Sequence, residues 1–402
     1  MTPGARVAAA IEVLDRWLAG GERLEPILRA WGRANRFAGS KDRRAIGDMV
    51  YDCARRRRSY GFLGGGDGGR RMLIGRAIAG DDDPNETFSG VGHAPAPISA
   101  AERASLRSRD DLARAPEAVR LDIPDWLAPM LRASLGDRFD AVLEAAGVRA
   151  PVDLRVNRLK ATTDGAMSRL ATETPPLEAT PLAEVEGALR LAPGARIAAA
   201  SAYREGLVEL QDASSQAAVL FADPAPGETV LDYCAGGGGK TLALAALMGG
   251  EGRVVAHDIE PRRMKDLPAR AARAGAEVTI CEGAPDEALL GACDLVFVDA
   301  PCSGSGTWRR DPEAKWALTP ERLARLNAAQ ADAIAAATPF VREGGRLLYA
   351  TCSVLSEENE AVATAFRHSN PGFELLETRN MGPGAQPVAG GDGFFAAKIL
   401  RR

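Results

Sequence analysis

The chain has 402 residues, 46% of them apolar, and its 50 Lys/Arg nearly balance 54 Asp/Glu, leaving a net charge of −4. Such a composition suits a soluble globular protein with material for two or three domains. No run of about 18 apolar residues is present, so no membrane span is expected. The cysteines (Cys53, Cys234, Cys281, Cys293, Cys302 and Cys352) form no Cys-x-x-Cys pair, so no metal is expected and the thiols read as free. The opening stretch MTPGARVAAAIEVLDRWLAG is interrupted by Arg6, Glu12, Asp15 and Arg16, unlike the apolar centre of a secretion signal, and a cytoplasmic protein is expected.

In chain order, Val7, Ile11, Leu14 and Leu18 share one helical face, and Ile27, Leu28 and Trp31 continue the helical pattern. Between Arg33 and Arg58, nine Lys/Arg stand against three Asp/Glu, ending in Arg55-Arg56-Arg57-Arg58. Such a run is ordinarily a solvated helix face; the sharper alternative is a phosphate-binding patch. Residues 61–115 are rich in Gly, Pro and Asp and predict short helices at most, joined loosely. Helix returns over 116–148, opened by Ile123-Pro124-Asp125-Trp126. From residue 151, Val152, Leu154 and Val156 alternate with polar neighbours as in a strand, and segments near 163–173 and 187–192 complete a small α+β module.

Beyond residue 206 strands alternate with helices. The strands are expected at 229–233, 253–258, 277–281, 295–299 and 346–350, and the helices at 240–248, 261–274 and 319–338. This is the pattern of a doubly wound, Rossmann-like parallel sheet, whose ligands sit at the carboxyl ends of the strands. The expected domains are 1–148, 149–205 and 206–402.

The first such strand end is followed by Cys234-Ala235-Gly236-Gly237-Gly238-Gly239-Lys240-Thr241. A phosphate-binding loop would need glycine where Cys234 stands, and a dinucleotide fingerprint would need it at Thr241. A third reading fits better: glycines that let a ligand approach a helix N-terminus, with Asp258 ending the next strand and able to accept from ribose hydroxyls. S-adenosylmethionine (SAM) suits that arrangement, and NAD stays open at this point.

Two more strand ends carry thiols: Asp299-Ala300-Pro301-Cys302 and Thr351-Cys352. A single cysteine ordinarily packs; two on the binding edge of one sheet, one beside Asp299, point to chemistry. Methylation of cytosine C5 needs such a set. A thiolate adds to C6 and makes C5 nucleophilic, an acid steadies the adduct, and a base removes the C5 proton before the thiol leaves.

The motifs LRVN (154–157), LQDASSQ (210–216), VLDYCAGGGGKT (230–241), VVAHD (254–258), DAPCSGSGTWRRDPEAKW (299–316), YATCSV (349–354), SEEN (356–359) and DGFFAAKI (392–399) resemble the RsmB/Sun family of RNA cytosine-C5 methyltransferases. The resemblance runs from about residue 120 to 402. It implies a class I SAM-dependent methyltransferase fold, an RRM-like module before it and a NusB-like helical RNA-binding domain at the N-terminus.

By position, the resemblance makes Cys352 the C6 nucleophile and Cys302 the group that assists proton removal and release. Asp299 would contact the base near SAM, and Lys240 would position it and favour a nearby thiolate. Cys234 through Lys240, Asp258, Arg263, Glu282, Gly283 and Asp299 would line the cofactor. Two family positions differ: glycine at 237 replaces proline, and Glu282-Gly283 replaces an Asp-Gly pair. Arg55 to Arg58, and Arg309, Arg310 and Lys315 between Trp308 and Trp316, are the expected RNA contacts, against a plain packing role for both tryptophans. The expected partner is structured RNA, most of all 16S ribosomal RNA, met by a monomer. The alternatives are a transfer-RNA substrate, a catalytically silent RNA-binding assembly factor, and a P-loop NTPase, which leaves Cys302 and Cys352 unused.

Overall fold

A computed structural model describes residues 1–385, 388 and 390–402. The chain forms two compact units: Met1–Met130 with Leu143–Arg149 and Trp308–Ala317, and Leu131–Val142 with Ala150–Thr307 and Leu318–Arg402.

The first unit is helical. Thr2 caps the helix Pro3–Leu18 by accepting from the Ala5 N–H, and Pro3 fits the first turn. The helices Leu24–Ala34, Ser40–Arg55, Arg57–Gly64 and Gly69–Ala79 follow. Leu14, Leu24, Ile27, Ile46, Val50 and Cys53 are buried at their centre, joined by Met72, Ile74, Phe88 and Ile98. Residues 61–115 therefore supply core side chains, and the expectation of short helices at most gives way to the 11-residue helix Gly69–Ala79. The glycines there serve contact: a Cβ at Gly75 would fall 1.9 Å from the Tyr60 carbonyl oxygen, and one at Gly64 1.9 Å from that of Arg71. Only glycine lets these helices touch backbone to backbone.

The second unit carries two sheets. In the small one, β1 (Val152–Val156), β2 (Thr180–Pro181), β3 (Ala188–Leu191) and β4 (Val208–Leu210) run in the order β2-β3-β1-β4, all antiparallel. Leu154, Val156, Leu189 and Val208 pack on Ala166 and Leu170 of the helix Thr163–Ala171. The fourth strand lies past residue 205. Asn157, buried after β1, donates to the carbonyls of Gly206 and Ala274 at 2.8 and 2.7 Å, which ties this module to the large sheet's helices.

The large sheet contains β5 (Thr229–Asp232), β6 (Arg253–Ala256), β7 (Thr279–Ile280), β8 (Cys293–Asp299), β9 (Val341–Thr351), β10 (Phe373–Met381) and β11 (Phe394–Arg401). Its order is β10-β11-β9-β8-β5-β6-β7, parallel from β7 to β9, with β11 antiparallel to both neighbours. The doubly wound expectation holds, extended by an antiparallel β10–β11 edge. The chain starts at β5, winds out to β7 and returns to β8. The crevice therefore opens beyond the carboxyl ends of β5 and β8, where strand order reverses.

Candidate active site

The loops after β5, β6, β7, β8 and β9 lie along this crevice. After β5, Gly236 and Gly238 take φ of +52° and +81°, a region that favours glycine. A Cβ at Gly238 would fall 2.2 Å from Cδ1 of Leu267, whereas a Cβ at Gly239 would meet nothing within 4 Å. The helix Gly239–Leu247 starts here, its first N–H groups facing the loop. Beneath it, Asp232 is fully buried and accepts from the Thr241 hydroxyl at 2.6 Å, while its other oxygen has no hydrogen-bond partner. Burial pushes its carboxyl up to about 7.

After β6, Asp258 is buried and accepts from the Gly236 N–H and the Glu260 N–H, each at 2.9 Å, with Arg263 3.2 Å away. The next residue, Ile259, is 89% exposed, an apolar side chain held in water on the sheet's binding edge. After β7, Glu282 is exposed, and the Gly283 carbonyl lies 3.0 Å from Nδ1 of His257. Cys234 is half-buried and its thiol is pushed up by that burial. Ala235 is buried, its N–H donating to the His257 carbonyl.

After β8 and β9 come the thiols. Sγ of Cys302 lies 3.3 Å from Sγ of Cys352. The hydrogen bond with Cys352, followed by burial, raises the Cys302 thiol well above its ordinary range. Lys240 donates to Asp299 at 2.6 Å; burial works against its charge, but Asp299 outweighs this and the ammonium is held more firmly than usual. Lys240, Asp299, Cys302 and Cys352, read from separate stretches of sequence, thus share one crevice. Among the described residues no cluster of three or more His, Cys, Asp or Glu could hold a metal ion.

The expected RNA contacts are corrected in part. Arg55, Arg309 and Lys315 are buried in the helical unit. Lys315 donates to the Arg55 carbonyl, Arg55 to the Arg309 carbonyl, and Trp316 to the Ala54 carbonyl. Burial pushes the Lys315 amine down to about 8. Lys315, Arg55 and Trp316 thus satisfy main-chain oxygens, and the three buried cations are shielded from solvent. Arg56 donates to the Gly147 carbonyl, Arg57 lies over the Trp17 and Trp316 rings, and Arg58 pairs with Asp125. Arg56, Arg57 and Arg58 are half-buried, each with a partner within the helical unit. Arg310 is exposed.

Sequence reading missed Glu358, which is fully buried and bonded to the loops of both thiols. It also missed Ile259, whose only sequence signal is its position after a strand-end acid.

The chain is similar to known proteins in three respects. The profile of the 16S rRNA methyltransferase RsmB/F family matches residues 219–400, and an RsmF/B-like ferredoxin-like domain matches 123–198. The ribosomal RNA small subunit methyltransferase B of Salmonella arizonae is 36% identical over 69% of this chain and 66% of its own length, so the match spans just under two thirds of that relative. Among solved structures, PH0851 aligns over 99% of both chains with a TM-score of 0.75 and 25% identity. A methyltransferase homolog from Pyrococcus horikoshii aligns over 74% of this chain and 100% of its own at a TM-score of 0.60 and 26% identity. On these matches, and on the sheet order above, residues 123–198 and 219–400 of the chain belong to the RsmB/F methyltransferase family.

Proposed function

We propose that this chain transfers a methyl group from SAM to C5 of a cytosine in RNA, with small-subunit ribosomal RNA as the substrate. The observation that carries this reading is the meeting of two thiols at 3.3 Å beside the Lys240–Asp299 pair. Membership of the RsmB/F family supports an RNA substrate, and the relatives' own names support the small-subunit rRNA.

The crevice fits SAM. Gly236 and Gly238 in the left-handed region and the open face of Gly239 leave room against a helix N-terminus. Asp258 would hold the ribose, and the exposed Ile259 offers an apolar face to the adenine. Cys234 to Lys240, Arg263, Glu282 and Gly283 would complete that wall. SAM supplies an electrophilic methyl.

The remaining steps belong to the protein. Cys352 adds as thiolate to C6 of the cytosine, and the C6–S bond pushes electron density onto C5, which takes the methyl. Asp299 and Lys240 would bind the ring's polar edge and steady the charge that develops there. A base then removes the C5 proton, the C5–C6 double bond re-forms and Cys352 leaves. Cys302, 3.3 Å from Cys352, is placed to assist removal of the C5 proton and so the release of the Cys352 sulfur. The base must be unpaired or flipped for C6 to reach Cys352. A P-loop NTPase gives neither thiol a task.

RNA carrying tritium at cytosine C5 tests this. The reading expects tritium release to water, one for each methyl transferred and dependent on SAM. Methyl transfer with tritium retained would move the reaction to another atom. SAM binding without transfer to any RNA would favour a silent assembly factor.

A further inference from the structure

Ser303 follows Cys302, and Ser353 follows Cys352. The carboxylate of Glu358, in the turn before the helix Glu360–Ser369, stands between them with no exposure to solvent. Its Oε1 accepts from the Ser303 N–H at 2.8 Å and from Nε2 of Gln330 at 2.9 Å. Its Oε2 accepts from the hydroxyls of Ser303 and Ser353, both at 2.5 Å. Gln330 also donates to the Pro301 carbonyl, so the residue before Cys302 is held as well.

A carboxylate buried among neutral donors carries a desolvation cost, and an apolar side chain could fill the same volume without it. What the apolar group would lack is direction. Four charge-assisted hydrogen bonds fix the angle and distance between the two loops. Further links run alongside: the Gly306 N–H donates to the Cys352 carbonyl at 3.0 Å, and the Val354 N–H donates to the Ser305 hydroxyl at 2.9 Å. The turn itself is anchored, since the Tyr349 hydroxyl donates to the Glu358 carbonyl and the Asn359 amide donates to that of Ser353.

We propose that Glu358 is a positioning residue for the proposed reaction, clamping the Cys302 loop to the Cys352 loop so that the two thiols meet over the substrate. Its hydrogen bonds go to Ser303, Ser353 and Gln330 and not to a sulfur, so it acts through the loops. The inference rests on the two-thiol reading above, and its test separates the two.

The test uses the full chain, first without RNA for thiol closure and then with SAM and RNA for turnover. A diazenedicarboxamide oxidant takes two electrons and two protons from the thiols, becoming the hydrazine, as the Cys302–Cys352 bond forms; peptide mass mapping identifies that bond. Glu358→Gln keeps the shape but replaces one acceptor by a donor. It is expected to slow closure about tenfold or more and to lower kcat for methyl transfer by a similar factor, with KM for SAM and RNA within about twofold. Ser303→Ala keeps the backbone N–H contact and should give a smaller loss in both, which covers the case of a Glu358 variant that does not fold. Wild-type rates of closure and turnover in both variants would overturn the proposal. Slowed closure in a protein whose wild type releases no C5 tritium would leave the clamp standing and remove the cytosine-C5 reading.

Discussion

Nζ of Lys240 donates to Oδ2 of Asp299 across 2.6 Å, and the same nitrogen lies 5.1 Å from the centre of the Phe394 ring. The contact links the helix after β5 to the end of β8, so neither side chain is free to wander. It also keeps a cation close to Cys352, where a thiolate is wanted. Lys240→Met would remove the charge and leave Asp299 unpaired. Turnover should fall by about two orders of magnitude with SAM affinity changed only a few-fold, as expected for a group used mainly in the transition state. Isothermal titration with SAM beside single-turnover kinetics checks the split; equal losses in both would confine Lys240 to its place in the cofactor wall.

The glycine loop makes a steric prediction. Gly238→Ala would place its Cβ 2.2 Å from Leu267 at a φ of +81°. Strain of about 1–3 kcal/mol is the expected cost. The loop should shift, weakening SAM binding by about tenfold, whereas Gly239→Ala faces open space and should bind SAM nearly as well as the wild type. Equilibrium binding to the two variants is the comparison.

Asp232 predicts a pH slope in stability. Its folded carboxyl is raised by burial from the ordinary 3.8 to about 7. Between those values the unfolded chain has lost the proton and the folded chain keeps it, so stability falls as pH rises through the window and levels off above it. At about 1.4 kcal/mol per unit the whole effect has a ceiling of about 4 kcal/mol. Asp232→Asn should flatten that part of the curve, measured by chemical denaturation of the SAM-free protein from pH 4 to 8.

The arginine run is expected to act on stability rather than on RNA. Arg58 bonds Asp125 at 2.7 and 3.2 Å and the Ile123 carbonyl at 2.8 Å, and Arg57 lies 5.6 and 5.5 Å from the centres of two tryptophan rings. Replacing either by alanine should cost about 1–2 kcal/mol, because surface exposure weakens the ion pair while the packing and cation–π contacts remain to be lost. The slope of RNA affinity against salt should stay as in the wild type; a slope lower by about one for each arginine would return these residues to phosphate contact.

Much of the catalytic sheet was legible because its strands end in chemistry. Asp232, Asp258, Asp299 and Cys352 each close or follow an apolar run, and β5, β6 and β8 fall within two residues of their expected bounds. β11 was not read as a strand. Its residues from Phe394 to Ile399 are almost all buried, so the alternation that marks a half-exposed strand is missing. The stretch 308–316 was read with its neighbours at the thiol loop, yet Lys315 and Trp316 donate to carbonyls some 260 residues earlier, at positions 55 and 54. Charge in a sequence shows no partner. Glu358 was hidden for the same reason: two of its three donor residues, Gln330 and Ser303, lie 28 and 55 residues away, and a buried carboxylate looks like any other acid in the string Ser356-Glu357-Glu358-Asn359.

The most direct test of the central claim is a denaturing gel of the Cys302→Ala protein incubated with SAM and small-subunit ribosomal RNA, before and after nuclease. Cys352 should still add to C6, and release should stall without its proton partner. The account predicts a slow protein–RNA band that collapses on nuclease treatment and vanishes in the Cys302→Ala, Cys352→Ala double variant. A band that persists when Cys352 is removed, or full turnover by Cys352→Ala alone, would contradict it.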